Sequence, residues 1–195
     1  MNILLDTLPK TINLDGKKVP IKTDFRDWVR FTKILQDYNL DQMTGVEFVE
    51  MMEKIISTLF FESQKIQISF ELFQEIVNFY VGFSERKNNK KKNDGPRTYD
   101  FVIDADAIYS SFYKEYGIRL IEHEMHWYEF RSLFSNLSEN SPVGYLNRIR
   151  TMKESEVPAE KRVEFIELKE DLALPAFGSY VEDESVMKKL YARLK

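Results

Sequence analysis

The chain has 195 residues, of which 43% are apolar and 14% aromatic, and its 28 Lys and Arg nearly balance its 32 Asp and Glu. This composition predicts a folded protein with an ordinary hydrophobic core and argues against a whole-molecule nucleic-acid binder. The absence of cysteine excludes disulfide scaffolds, thiolate zinc sites, iron–sulfur clusters and cysteine nucleophiles.

Residues 1–83 predict a β-hairpin followed by three helices. Asp15 and Gly16 form a turn dipeptide between two short stretches that carry apolar residues at alternate positions. Thr23 or Asp24 is a suitable N-cap for the first helix. Helical spacing then relates Phe25, Trp28, Val29, Thr32 and Leu35.

Two further N-terminal signals mark the second and third helices. Thr44, with Glu47 three residues later, has the pattern of a capping box. Ser69 is a suitable N-cap for the third helix. The apolar positions at helical spacing are Phe48, Met52, Ile55, Ile56 and Leu59 in the second helix, and Phe73, Ile76, Val77, Tyr80 and Phe83 in the third.

Residues 84–98 form a strongly basic segment with six basic and two acidic side chains and no apolar residue. Because such a segment buries nothing that would offset the entropy of ordering, it predicts a flexible linker or loop. Lys90, Lys91 and Lys92 are candidates for phosphate contacts with nucleic acid. No aromatic residue alternates with these lysines and the flanking segments are acidic, so the linker interpretation is favoured.

Residues 99–175 predict a second helical part that packs with the first. Asp104 is an N-cap candidate with Asp106 in the first helical turn, and Gly117 is a C-cap candidate. The alternative for the two acids is a metal pair of the kind that binds sugar nucleotides, but no glycine-rich phosphate loop accompanies them. The apolar stripe of this helix is Ile108, Phe112, Tyr113 and Tyr116.

The remainder of the chain predicts three helices and a C-terminal extension. The first helix runs from about Glu122 to Leu133, the second begins at Ser141-Pro142, and the third runs from Pro158 to Leu172. Residues 176–195 form an amphipathic extension that we expect to dock on its own domain or on a sibling subunit. The stripes are His126, Trp127, Phe130, Leu133 and Phe134; Tyr145, Ile149 and Met152; and, in the extension, Val186, Met187, Leu190, Tyr191 and Leu194.

These elements predict a mainly α fold with a short N-terminal β-hairpin. Aromatic residues at helical spacing usually form the core, and an exposed subset would form a groove that binds a partner. Trp127, Phe130 and Phe134 are the candidates for that partner-binding role.

The two histidines are the main candidate ligands for a metal site. His123 and His126 could share a metal on a helix, with Glu122 as a third ligand. They lack the His-Glu-x-x-His spacing, so a packed or hydrogen-bonded His126 is the favoured interpretation. No catalytic residue, metal site or cofactor is predicted.

Several stretches of the chain resemble a family of phage proteins. They read DGKKVPIKTDFRDW at 15–28, DADAIYSSFYKEYGI at 104–118, MHWYEFRSLF at 125–134 and YLNRIR at 145–150. The family is the bacteriophage "gene product fifteen" family, from siphophages of Gram-positive bacteria, and the resemblance covers about residues 12–174. That family also carries a Lys-rich break between its two blocks, as residues 86–92 do here.

The resemblance implies a non-enzymatic phage tail assembly chaperone that binds the tape measure protein, with the major tail protein as a further candidate partner. It would be a homo-oligomer in the host cell cytoplasm and absent from the mature virion. A structural virion component, such as a head–tail connector or tail-associated subunit, is the alternative, and a nucleic-acid-binding phage regulator is a lesser one. No membrane association is expected, because the most apolar run, residues 55–61, is too short to span a bilayer.

Overall fold

The described part of the chain is built from one two-stranded antiparallel sheet and seven α-helices in a computed structural model. The predicted fold class, mainly α with a short N-terminal β-hairpin, is confirmed. The strands are β1 (Thr11–Leu14) and β2 (Lys17–Pro20). The helices are α1 (Phe25–Gln36), α2 (Gly45–Leu59), α3 (Phe70–Val81), α4 (Ala105–Tyr116), α5 (Trp127–Phe134), α6 (Pro142–Thr151) and α7 (Arg162–Asp171).

The structure describes residues 3–40, 42–82 and 98–175. Three predicted features lie outside these ranges. They are the basic linker up to Arg97 with Lys90, Lys91 and Lys92, the stripe residue Phe83, and the C-terminal extension of residues 176–195.

The described residues group into two compact units. Unit 1 contains residues 3–40, 42–82 and 124–131, and unit 2 contains residues 98–123 and 132–175. Unit 1 therefore combines the N-terminal elements with a short stretch that follows α4 in the sequence.

The hairpin forms because its turn residues accept a left-handed backbone. In β1 and β2, Ile12 lies opposite Val19 in an antiparallel register. Asp15 and Gly16 have φ angles of 49° and 75°, as a two-residue turn between twisted strands requires. Aspartate tolerates this conformation better than most residues, and glycine adopts it freely. The Asp-Gly signal in the sequence therefore predicted the hairpin correctly.

The helices of unit 1 begin at polar side chains that satisfy N–H groups of the first turn. Asp24, rather than Thr23, is the N-cap of α1 and accepts a backbone hydrogen bond at 3.0 Å. Thr44 and Glu47 form the predicted capping box, with N···O distances of 3.2 and 2.8 Å. Ser69 caps α3 as predicted. These caps are read correctly from the sequence because they involve residues two or three positions apart.

The core of unit 1 is centred on Trp28, which is completely buried. Its indole stacks on Phe79 at 4.9 Å and on Trp127 at 6.2 Å between ring centroids. Its Nε1 donates to the carbonyl of Lys22 at 3.1 Å, so burial leaves no polar atom of the ring unsatisfied. Other fully buried residues of this unit are Phe31, Met51, Met52, Ile55, Leu59, Leu72, Phe73 and Ile76.

Helix α5 is shorter than predicted, because it begins at Trp127 and not near Glu122. The backbone N–H of Phe25 donates to Met125 O at 2.9 Å, and that of Trp127 donates to Thr23 O at 2.7 Å. These bonds form an antiparallel bridge with the residues that precede α1. Residues 125–127 are therefore bonded to a distant part of the chain, and His126 forms an isolated bridge with Asp24.

The helices of unit 2 mostly follow their predicted signals. Gly117 ends α4 with a φ of 67°, and Ser141 with Pro142 begins α6. The helix predicted from Pro158 starts as a short 3-10 turn, Ala159–Lys161, and becomes α-helical only in α7.

The apolar stripe predicted for α4 is wrong at one position. Ile108 and Phe112 are buried, but Tyr113 is 57% exposed. Ser111 is completely buried instead, and its hydroxyl accepts a hydrogen bond from the backbone of Val143 at 3.1 Å. This bond satisfies a donor in the first turn of α6, so a polar residue takes the inward position.

Candidate functional site

The His-Trp-Tyr-Glu-Phe-Arg stretch at 126–131 closes the carboxyl end of α3. Trp127 Nε1 donates to the carbonyl of Tyr80 at 2.9 Å. Arg131 Nη1 donates to the same carbonyl at 2.7 Å and to that of Val81 at 2.6 Å. The last carbonyls of a helix lack intrahelical partners and carry partial negative charge, so an indole N–H and a guanidinium stabilise them. This part of the motif is structural.

Two of the three predicted partner-binding residues lie in the core. Trp127 and Phe130 are each 1% exposed, and Phe130 stacks on Phe25 with 4.6 Å between ring centroids. In unit 2, Phe134 is half-buried against Tyr99 at 4.8 Å. A partner does not reach the two buried rings in the folded chain, so an interaction surface requires other residues. The helical spacing of these aromatic residues in the sequence does not show which rings are buried and which are exposed.

His126 is packed and hydrogen-bonded, as the sequence predicted. Its Nε2 lies 2.9 Å from the carbonyl of Pro9, and its Nδ1 accepts from the backbone N–H of Tyr128 at 3.1 Å. Because a carbonyl only accepts and an N–H only donates, these contacts fix the neutral tautomer with its proton on Nε2. Burial lowers the pKa of His126, against the opposing effect of the Pro9 hydrogen bond and the charge of Glu129.

The metal arrangement considered for the histidines is absent from the described residues. His123 and His126 are not on a common helix, and the Nδ1 of His123 lies 3.1 Å from the carbonyl of Arg119. Among residues 3–40, 42–82 and 98–175, no group of three or more His, Asp or Glu is placed to hold a metal ion.

A buried ion pair in unit 2 was missed by sequence reasoning. Arg150 Nη1 and Nη2 lie 2.6 and 2.8 Å from the two carboxylate oxygens of Asp104. Their side chains are only 5% and 3% exposed. The guanidinium also donates to Leu172 O at 2.8 Å and to Thr98 O at 2.9 Å. A planar, multidentate donor is suited to this task, and its hydrogen bonds offset the cost of burying two charges.

Asp104 occupies the N-cap position directly before α4, as predicted, but the predicted capping role of its side chain is wrong. Asp104 makes no side-chain hydrogen bond to the first turn of α4. Its carboxylate instead binds Arg150 and accepts from the backbone N–H of Asp100 at 2.9 Å. A charged partner in a buried site binds the carboxylate more strongly than a neutral N–H group does.

An open, largely apolar groove lies on the surface of unit 2. It has a volume of about 360 Å³ and lies between the second half of α6, two 3-10 turns (Glu154–Glu156 and Ala159–Lys161) and α7. Ile149 and Phe165 form its buried floor, at 7% and 8% exposure. Its remaining lining is Met152, Val157, Pro158 and Leu168, with the charged residues Arg148, Glu156, Lys161 and Glu164. We refer to it as the α6–α7 groove.

The α6–α7 groove combines apolar and charged lining residues. Apolar side chains line it and charged side chains of both signs border it, which is the arrangement that accepts the apolar face of an amphipathic helix. Helix α7 has ten residues and is about 15 Å long. A bound helix of about three turns could therefore lie along it.

No helix in the described parts of the chain is long and apolar enough to cross a bilayer. The sequence model of the family described as "Bacteriophage Gp15 protein" matches residues 4–174. No curated protein and no solved structure matches the chain significantly.

Proposed function

The chain belongs to the Bacteriophage Gp15 protein family, and on this premise we propose that it is a tail assembly chaperone that binds the tape measure protein. It would act without catalysis, in several copies, in the cytoplasm of the infected host cell. It would leave before the virion is complete. The major tail protein, which replaces it around the tape measure protein, is a further candidate partner.

The observation that carries this proposal is the α6–α7 groove. A chaperone of this kind must cover apolar helical surfaces of a long partner until tube subunits replace it. The groove presents Met152, Val157 and Leu168 as half-buried apolar residues that a partner helix can contact. Covering such side chains contributes roughly 25 cal/mol per Å² of apolar area removed from water.

The size of the groove suits reversible binding. A surface of three helical turns is far smaller than the interfaces of permanent complexes, so moderate affinity and exchange are expected from a single site. Several copies bound along one long partner would still shield it, because linked sites add avidity. Moderate affinity at each site, combined with several copies on one partner, allows the chaperone to capture the tape measure protein first and to be displaced from it later.

Co-expression with the phage tape measure protein tests the proposal. We expect the tape measure protein to remain in the soluble fraction only when this chain is present, and an affinity tag on either protein to recover both. A tape measure protein that is equally soluble alone and is not recovered with this chain would contradict the proposal.

The protein content of purified virions provides an independent test. An assembly chaperone should be absent from mature particles, or present at far below the copy number of the tail proteins. A constant, stoichiometric amount in purified virions would instead favour a structural subunit such as a head–tail connector.

A further inference from the structure

We propose that residues 65–69 of this chain pair with the same residues of a second copy as an antiparallel strand pair, which makes the protein a reversible homodimer. The pairing surface belongs to unit 1 and includes no residue of the α6–α7 groove. It is independent of the proposed chaperone function, so either proposal can fail while the other stands.

Residues 65–69, which we call the 65–69 segment, have the form of a strand without a partner. No helix, turn or bend occurs from Gln64 to Ser69, and Ser69 has extended backbone angles, with φ −150° and ψ 162°. Burial alternates along the segment, as in a β-strand with one face on the protein and the other in water. The half-buried residues are Ile66 and Ile68, and the exposed ones are Lys65, Gln67 and Ser69.

The backbone of the segment has no hydrogen-bond partner in the described parts of the chain. Within residues 3–40, 42–82 and 98–175, no hydrogen bond reaches a backbone N–H or C=O group of Lys65, Ile66, Gln67 or Ile68. Buried backbone groups are almost always paired, so unpaired groups on exposed and half-buried residues are bonded to water. A row of such groups is a template on which another strand can pair.

Both ends of the segment are fixed, which lowers the entropic cost of pairing. Before the segment, the side chain of Gln64 accepts from the backbone N–H of Phe61 at 2.7 Å and donates to the carbonyl of Pro20 at 2.9 Å. After it, the hydroxyl of Ser69 caps α3 by accepting from the N–H of Leu72 at 3.1 Å. Because the segment is already held at both ends, a second strand does not have to order it.

The sequence of the segment is self-complementary in an antiparallel register centred on Gln67. A two-fold axis at Gln67 places Ile66 opposite Ile68 of the second copy, so the apolar face continues across both strands. Gln67 then lies opposite Gln67 of the second copy, and the two side-chain amides can donate to and accept from each other. Lys65 lies opposite Ser69, so no like charges face each other.

Charge favours the antiparallel register. Glu71 is exposed in the first turn of α3, two residues after Ser69. The register brings Lys65 beside Ser69 of the second copy, and therefore within reach of Glu71 of that copy. The two-fold axis repeats this attraction between opposite charges. A parallel pairing in register would instead bring the two Lys65 side chains together.

The length of the segment predicts a weak dimer. Five paired residues extend over about 17 Å. This is far smaller than the interfaces of permanent complexes, so we expect the dimer to dissociate on dilution.

Disulfide formation by the full chain tests the register, since the chain has no native cysteine. The Cα atoms of facing residues in an antiparallel pair are about 4.5–5.5 Å apart, a distance that a disulfide spans. In Gln67→Cys the two thiols therefore face each other. In Lys65→Cys, the register control, they lie four residues apart, or roughly 14 Å. Gln74→Cys, at an exposed position of α3, is the control for random collision.

We expect Gln67→Cys to form a disulfide-linked dimer about 10-fold faster than either control, because association brings its thiols together before they are oxidised. Equal rates for Gln67→Cys and Gln74→Cys would overturn the proposal. Faster cross-linking of Lys65→Cys than of Gln67→Cys would also overturn it, since the strands would then pair in another register.

A charge exchange, followed by sedimentation velocity without added cysteine, tests the pairing independently. Lys65→Glu places like charges together and should shift the protein to monomer at a concentration where the wild type is partly dimeric. Lys65→Glu/Glu71→Lys restores the attraction and should recover the dimer. Lys153→Glu, which reverses an exposed lysine outside the segment, should leave the dimer unchanged. A double variant that is as monomeric as Lys65→Glu, with both shown to be folded by circular dichroism, would contradict the proposal.

Discussion

Arg150 is the residue on which much of unit 2 depends. Its guanidinium pairs with the buried carboxylate of Asp104 and donates to two partly buried backbone carbonyls. The ion pair between Asp104 and Arg150 could not be predicted from the sequence. An acid at a helix start and an arginine at a helix end each have a sufficient local explanation. The pair forms only because the fold joins positions 46 residues apart.

Replacing Arg150 with Met should lower the free energy of unfolding by about 3–5 kcal/mol, because Asp104 is left as a buried charge without a counter-ion. The double variant Asp104→Leu/Arg150→Met should recover most of this loss. Arg148→Met, which removes an exposed arginine from the same helix, should cost less than about 0.5 kcal/mol. Equilibrium urea unfolding measures all three, and a double variant as unstable as Arg150→Met would count against an ion-pair role.

His126 predicts a defined dependence of stability on pH. Burial lowers its pKa below the ordinary value, so the unfolded chain binds the proton more tightly than the folded one. The stability contributed by neutral His126 is therefore complete above the ordinary histidine pKa of about 6.5. It is lost as the pH falls through that value toward the lower folded pKa.

Thermal unfolding between pH 7.5 and 5.5 measures this effect. We expect the wild-type protein to lose stability as the pH falls in this range, and His126→Gln to show a smaller loss. His123→Gln serves as the matched control and should retain the wild-type dependence. Identical slopes in the wild type and in His126→Gln would show that this histidine does not titrate on unfolding.

At the scale of the element, hydrogen bonds between residues a few positions apart could be predicted from the sequence. Hydrogen bonds between residues far apart in the chain could not. Thr44, Ser69 and Ser141 cap their helices because each side chain bonds a residue three positions away. The start of α5 could not be inferred in this way. The spacing from Glu122 onward suits a helix, but a β-bridge between His126 and Asp24 overrides it.

Gly144 allows α6 to approach the turn that precedes it. A Cβ atom at this position would lie 2.8 Å from Glu139 Cα and closer still to the carbonyl oxygen of Ser138. Gly144→Ala should therefore destabilise the protein by about 1–3 kcal/mol, because backbone atoms must move. Gly45→Ala, at a position with nothing within 4 Å, should be neutral or stabilising by up to about 1 kcal/mol. Urea unfolding of both variants distinguishes close packing from a general effect of alanine.

For the whole molecule, the residues that carry the family resemblance and the surface suited to binding are largely different. Trp127, Phe130 and Arg131 hold the core of unit 1 and the end of α3 together. The α6–α7 groove combines apolar residues from two helices and two turns, none of which is conspicuous in the sequence. Its existence depends on how these elements pack. It could therefore not be predicted from spacing alone.

The most direct test of the account is the affinity of the tape measure protein for two matched valine variants. Val157 lines the α6–α7 groove and Val163 is exposed outside it. We predict that Val157→Glu raises the Kd at least about 10-fold, because a charge would be buried against the apolar face of the partner, whereas Val163→Glu leaves the Kd unchanged. Circular dichroism and thermal unfolding should show that both variants are folded. Equal affinities for the two folded variants would contradict binding through the groove.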